Sequence, residues 1–233
     1  MQTQKASITY PWPLKTPCSL CRQYHNQNTP ICNYCEHLFV PLGPACKQCA
    51  TPLPEWHFPQ CAQCREHPPF IDAVFAPYQF EAPLRTLLHD FKYREKLHLS
   101  LFLAEQMQHT PPIFEPNHTC LIPIPLHQKR LQTRGFNQAA VLAKQLAKQL
   151  ELPYCPQFIQ KIKNTLPQAE LEAKKRKKNI KNAFLVKKIH YPHVILIDDL
   201  ITTGSTANEL AHQLKSNGTQ QVSLWCLAKT CLT

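Results

Sequence analysis

Two stretches of this chain place reactive residue types at spacings that chemistry requires. The first is an array of four C-x-x-C pairs: Cys18/Cys21, Cys32/Cys35, Cys46/Cys49 and Cys61/Cys64. Spacers of ten, ten and eleven residues separate them. Such a pair forms a tight knuckle that offers both sulfurs to one tetrahedral ion. Zinc takes four thiolates in a structural site, so four knuckles make two sites with no position left open for substrate. An iron–sulfur cluster is the alternative metal, while redox C-x-x-C motifs do not come in fours. The spacing leaves open whether the pairs combine sequentially or cross-brace, and a ten-residue spacer suits the short hairpin of a sequential ribbon. His25, His37, His57 and His67 read as surface or packing residues. Cys120, Cys155, Cys226 and Cys231 are isolated, and Cys226 reads as a buried small hydrophobe.

The second stretch is VILIDDLITTGST, residues 194–206. An apolar strand delivers Asp198 and Asp199 at its C-terminal end, where open α/β sheets bind ligands. Two adjacent carboxylates suit the vicinal hydroxyls of a ribose, directly or through a metal. Thr202, Thr203, Gly204, Ser205 and Thr206 then turn into a helix. Small residues and free N–H groups at a helix start form a cradle for phosphate. A Walker loop is excluded because no Gly-Lys-Ser/Thr follows, and the dinucleotide fingerprint G-x-G-x-x-G is missing.

Elements that could position these residues are readable from periodicity. Residues 1–68 read as a loop-rich module whose poor core needs a staple, and residues 69–233 as a second domain. IDAVFAPYQF reads as a strand. EAPLRTLLHDFKYR reads as a helix with Leu84, Leu87, Leu88 and Phe91 on one face. A further helix carries Leu99, Phe102, Leu103 and Met107. CLIPIPL reads as a short buried strand, and RGFNQAAVLAKQLAKQLEL as a turn glycine followed by a helix. HVILIDDL has the continuous apolar character of a central parallel strand. TANELAHQLKSNG is a helix stopped by Gly218, and QVSLWCLA is a closing strand. Strands alternating with helices predict an α/β domain with a mostly parallel sheet.

Composition narrows the classes. The 233 residues include 12 Cys, 22 Pro and four Gly, with 43% hydrophobic residues and a formal net charge of +11. That hydrophobic share argues against global disorder. No apolar run approaches the ~20 residues of a membrane helix, and the N-terminus lacks a signal pattern. A cytoplasmic protein with reduced cysteines is expected. Residues 161–188 hold ten Lys/Arg against Glu170 and Glu172. With zinc bound, each four-thiolate site carries about −2, which brings the whole chain to about +7 and leaves the excess in that stretch.

The 194–206 segment resembles the 5-phosphoribosyl-1-pyrophosphate (PRPP) motif of type I phosphoribosyltransferases. With the four cysteine pairs, LLHDFKYR, IPIPLHQKRLQTRGFNQA and the PQ-x-x-L…R-x-x-N…F pattern from Pro167 to Phe184, the chain resembles the ComF (competence protein F, GntX-like) family over nearly its whole length. The resemblance implies an N-terminal double zinc ribbon before a type I phosphoribosyltransferase fold. It implies a link to natural transformation, DNA uptake and imported single-stranded DNA. The partners it implies are PRPP, single-stranded DNA and competence proteins such as the ComF-operon helicase. Carried over, Asp198 and Asp199 would hold the ribose hydroxyls and Thr202 to Thr206 the 5′-phosphate. The loop after the 121–124 strand would face the pyrophosphate with Lys129, Arg130 and Arg134. Mg²⁺ would accompany PRPP. RLQTRGFNQ also fits a plain capped surface helix, and Lys92 and Arg94 fit either site cations or a solvated helix end.

The stretch 161–182 fits a catalytic lid, a nucleic-acid patch or a solvated polar face. Aromatic residues for base stacking are missing from it. Two functions follow from the whole reading. One is Mg²⁺-dependent phosphoribosyl transfer from PRPP, a glycosyltransferase reaction. The other is a non-catalytic adaptor that binds single-stranded DNA and competence machinery through zinc ribbons and a basic surface.

Overall fold

A computed structural model describes residues 15–55, 57–94, 96–164 and 182–231. Gln168, Arg176, Asn179 and most of the basic stretch lie outside the described residues.

The N-terminal segment is built from knuckles and short elements. Strands β1 (Thr16–Pro17) and β2 (Tyr24–His25) pair antiparallel, and helices α1 (Asn33–Glu36) and α2 (Ala62–Glu66) each begin beside a cysteine. Little regular backbone bonding is available here, so metal ligation has to supply the cohesion.

From residue 73 the chain alternates as expected. Strand β3 (Ala73–Phe75) and β4 (Tyr78–Gln79) precede α3 (Leu84–Tyr93) and α4 (Ser100–Met107). Then come β5 (Thr119–Pro123), α5 (Gln128–Arg134) and α6 (Gln138–Leu150). The hairpin strands β6 (Ile159–Lys161) and β7 (Phe184–Val186) follow. The last elements are β8 (His193–Ile197), β9 (Leu200–Ile201), α7 (Ser205–Ser216), β10 (Gln221–Trp225) and β11 (Ala228–Lys229).

Among the described residues, the main sheet has the order β3-β10-β8-β5, all parallel. A second parallel set, β4-β11-β9, repeats the first three positions of that order. The same three chain segments thus cross both sets, and each breaks at the same level. Asp198 and Asp199 occupy the break between β8 and β9. The expected strand 71–80 is divided likewise, because Ala76-Pro77 interrupts its ladder.

Both sheet faces are covered, as a continuous apolar strand requires. Ile195 and Ile197 of β8 face one core with Leu87, Leu88, Leu103 and Leu146, whereas Val194 and Leu196 face the other with Leu210 and Leu214. The cysteine module joins both cores. Cys18, Ile31, Cys35 and Phe39 enter the first, and Leu42 and Ala50 the second. It also shields the sheet edge. Val74 N–H donates to Lys47 O at 2.7 Å, and Gln79 N–H to Val40 O at 2.9 Å. An edge strand covered in this way offers no template for aggregation.

Candidate functional site

The two metal candidates assemble sequentially. Cys18, Cys21, Cys32 and Cys35 bring their four Sγ atoms within 4.8 Å of one another, and so do Cys46, Cys49, Cys61 and Cys64. Four thiols at that separation fit one tetrahedral ion each. Within each set the first and last cysteines are buried. Backbone N–H groups turn toward the sulfurs, with Cys32 N–H on Cys18 Sγ and Cys64 N–H on Cys61 Sγ. Despite burial, such donors and the neighbouring thiol pull Cys18 down to about 6. Depressed thiols crowded against thiols whose pKa is raised, as at Cys35 and Cys64, form a ligand set that metal would deprotonate.

The second site lies where the strands break. A cleft of about 220 Å³ is lined by Asp198, Asp199, Thr202 and Thr206 together with Arg130 and Arg134. Gly204 and Ser205 line an adjoining recess of about 30 Å³ with Asp198 and Thr202. The strands deliver the acids because Asp198 N–H continues the ladder to Trp225 O at 3.1 Å before the chain turns. Gly204 then adopts φ +71° ahead of α7. A Cβ there would stand 3.3 Å from Ile201 Cδ1, and its backbone conformation disfavours any other residue. Thr203 is exposed and its hydroxyl meets Ser205 Oγ at 2.9 Å.

The two acids are not equivalent. Asp199 is buried and paired with the Lys92 ammonium. Burial works against the charge on Lys92, but Asp199 outweighs it and holds the lysine above its ordinary pKa. Asp198 opens onto the cleft and its carboxylate accepts the Asp199 N–H at 2.9 Å. Burial, then the charge of Asp199, push the Asp198 carboxyl up to about 8.

The segment after β5 is the helix α5, the second of its two readings, and not a loop. Arg130 and Arg134 sit one turn apart and share the cleft face. Lys129 is exposed and is not part of the cleft lining, because it lies about 100° around the helix from Arg130. Arg134 stacks over the Tyr93 ring at 5.2 Å and donates to Gln138 Oε1 at 3.0 Å. Arg94 stands at the end of α3 with its guanidinium 3.5 Å from Asp90.

Three residues at the site were not singled out from the sequence as site residues. Gln138 is buried and also donates to Lys92 O at 3.4 Å, so one amide ties the arginine and lysine segments together. Asn137 caps α6 and donates to Ile124 O at 3.0 Å, fixing the end of β5. Lys161, on the hairpin strand β6, reaches the cleft, where burial and then Arg130 pull its pKa down to about 8. Only its place at the start of the basic stretch pointed to it.

A parallel sheet with paired acids and a glycine cradle at its strand ends defines a phosphoribosyltransferase-like domain. Residues 137–230 match the family described as Phosphoribosyl transferase domain. Competence protein F of Haemophilus influenzae is 31% identical over 91% of this chain and 96% of its own length. DNA utilization protein YhgH of Escherichia coli K12 is 31% identical over 86% of this chain and 90% of its own. Competence protein ComFC of Bacillus subtilis is 28% identical over 60% of this chain and 57% of its own. The chain belongs to the competence protein F (ComF) family, which the cysteine array and the strand-end site also support. Among the described residues no helix is long and apolar enough to cross a membrane.

Proposed function

We propose that this protein binds Mg²⁺-PRPP in the strand-end cleft and transfers its phosphoribosyl group to a nitrogenous acceptor, as a cytoplasmic step in DNA uptake. The observation that carries the reading is one cleft whose lining brings Asp198, Thr202 and Thr206 together with Arg130, Arg134 and Lys161, with Gly204 in the adjoining recess. The N–H groups from Thr203 to Thr206 would receive the 5′-phosphate. Asp198 would accept from the ribose hydroxyls, and Asp199 would be held in place by Lys92. The bond from ribose C1 to the pyrophosphate oxygen breaks, and pyrophosphate leaves with the electron pair. The acceptor nitrogen then forms the new bond to C1. Arg130, Arg134 and Lys161 would meet the growing negative charge. Mg²⁺, carried on the pyrophosphate, would add to that neutralisation.

Calorimetric titration of Mg²⁺-PRPP into the purified protein is the test. Saturable binding that disappears in Asp198→Asn supports the site, and no heat in the parent protein refutes it.

A second reading is an adaptor for single-stranded DNA. It draws on the ten Lys/Arg of residues 161–188, the first of which, Lys161 on β6, lines the cleft. Filter binding over a salt series checks it. Affinity should fall steeply with salt, and no binding at low salt would rule the adaptor out.

A further inference from the structure

Another cavity, of about 490 Å³, lies at the other end of the main sheet. Thr119, His193 and Gln221 line it, and they are the first residues of β5, β8 and β10. The three are register partners, so they stand level across the sheet. The cleft takes its acids from the opposite end of β8. Along that strand, His193 and Asp198 stand roughly 16 Å apart at the usual rise per residue. The cavity is therefore separate from the phosphate site. Its main chain is already satisfied. Pro192 O accepts from Gln220 N–H at 3.0 Å and from Gln221 N–H at 2.9 Å, and His118 N–H donates to Glu115 O at 3.0 Å. His193 is 6% exposed, and both its ring nitrogens are engaged, Nε2 with Ser223 Oγ at 3.0 Å and Nδ1 with Thr119 Oγ1 at 3.5 Å. A lining held in this way is formed before any ligand arrives, which lowers the entropic cost of binding.

Several side chains of the lining are left without partners. The side-chain amides of Gln220 and Gln221 make no hydrogen bond among the described residues, and Ile113 is 91% exposed. Each amide offers a donor and an acceptor in one plane. Phe114 adds an aromatic ring. Planar amides beside an aromatic ring suit a flat ligand with hydrogen-bonding edges. Charge narrows the class further. Among the described residues no Lys or Arg lines the cavity, and Glu115 brings a carboxylate, 2.9 Å from His118 Nδ1. Burial pulls the pKa of His193 down, which keeps that imidazole uncharged. The cleft, by contrast, gathers Lys92, Arg130, Arg134 and Lys161. A phosphate is favoured there and disfavoured here.

We propose that this cavity is a second binding site, which takes an uncharged planar heterocycle of about nucleoside size. Gln220 and Gln221 pair with its donor and acceptor edge, and Phe114 stacks on its ring. Its distance from Asp198 makes the occupant neither the acceptor nor the leaving group of the transfer proposed above. Binding here does not rest on the PRPP reading.

The test is a nuclear magnetic resonance titration of the full chain, zinc-loaded and labelled at its isoleucine methyl groups. Ile113 lines the cavity and Ile124 the cleft, so the two places report separately. Adenosine, guanosine, cytidine and thymidine are each titrated to millimolar concentration. At least one should shift Ile113 saturably. The double variant Gln220→Ala, Gln221→Ala should weaken that binding about tenfold or more, the worth of one or two hydrogen bonds. Both side chains are exposed and their main-chain bonds to Pro192 remain, so the variant should keep its fold. Asp198→Asn should leave the nucleoside affinity unchanged. The 5′-monophosphate of the same nucleoside should bind at Ile113 no more tightly than the nucleoside itself. No saturable shift at Ile113 with any of the four would overturn the proposal. So would an unchanged affinity in the double variant, or a shift confined to Ile124. Tighter binding of the monophosphate at Ile113 would overturn the uncharged class. A parent that fails to bind Mg²⁺-PRPP would refute the transfer reading and leave the Ile113 result standing.

Discussion

The two four-cysteine clusters have the same ligands and nearly the same spacing, yet they are built into the molecule differently. The first is held by large side chains. Cys18, Ile31, Cys35 and Phe39 pack with the helical core, and Phe39 lies edge-on to Tyr78 at 5.5 Å and to Phe102 at 6.3 Å. A polar chain locks the contact. Glu36 accepts from Gln106 Nε2 at 2.8 Å, and Gln106 Oε1 accepts from Tyr78 Oη at 2.6 Å. Beside the second cluster Leu42 and Ala50 enter the opposite core, without an aromatic contact like that of Phe39, and the knuckle meets the sheet through main-chain bonds. Identical chemistry thus serves two ends. One cluster completes a hydrophobic core, and the other sits at the sheet edge whose strands end at the cleft.

That contrast can be broken most strongly at Cys35. A structural zinc site contributes on the order of 10 kcal/mol, comparable to the whole stability of a domain. Cys35→Ser should lose one zinc and most of the cooperative thermal transition, whereas Cys64→Ser should lose one zinc and keep a folded helical core. Equal collapse in both, seen by metal analysis and calorimetry, would erase the distinction. Next in size is Asp199→Asn. It leaves the buried Lys92 charge without its partner, a loss of about 3–5 kcal/mol in denaturant unfolding. Mg²⁺-PRPP binding should disappear with it.

A smaller effect is expected at Gln106→Leu. It leaves Glu36 without its Gln106 partner and takes one of two contacts from the Tyr78 hydroxyl, which keeps His109 Nδ1 at 2.6 Å, at about 1–3 kcal/mol. Zinc content and ligand affinity should stay unchanged, and a fall in affinity would mean that the first cluster also acts on the cleft.

The pH dependence concerns the cleft alone. In the free protein burial, then the charge of Asp199, push the Asp198 carboxyl up to about 8, and sugar hydroxyls are best received by the carboxylate. Affinity for Mg²⁺-PRPP should therefore rise by at most about tenfold per pH unit toward 8 and level off above it, with release of a proton. For the free fold the sign is opposite. A carboxyl raised above its unfolded pKa contributes stability at low pH that is lost as pH rises through about 8. Titrations in buffers of different ionisation enthalpy check the proton, and Asp198→Asn should remove its release. The smallest expected effect is Tyr93→Leu, which takes the ring from beneath Arg134. About 0.5–1 kcal/mol is at stake, or a two- to fivefold weaker titration with stability nearly unchanged.

Much of this was legible from short-range pattern. The C-x-x-C pairs name their own ligands, and HVILI followed by two acids and a small-residue turn names a strand-end phosphate cradle. Periodicity placed α3, α6 and α7, because apolar spacing is a local property. The expected strand 71–80 is divided at Ala76-Pro77, as the neighbouring segments are at Asp198-Asp199 and Cys226-Leu227. Of the two readings of the stretch after β5, a loop and a capped helix, residues 128–134 take the helix, which turns Lys129 away from Arg130 and Arg134.

By itself the sequence determined which residues could ligate metal, which elements form, and where phosphate chemistry would sit. Those features are encoded by neighbours within a few positions. The tertiary structure decided how the cysteine pairs combine, that Asp199 is already engaged by Lys92, and that Gln138 and Lys161 line the same cleft. Each of these depends on a partner tens of residues away or on a single side chain with no repeating pattern. Only packing on both faces of the sheet determines which distant charges are buried together, and burial is what gives those charges their strength.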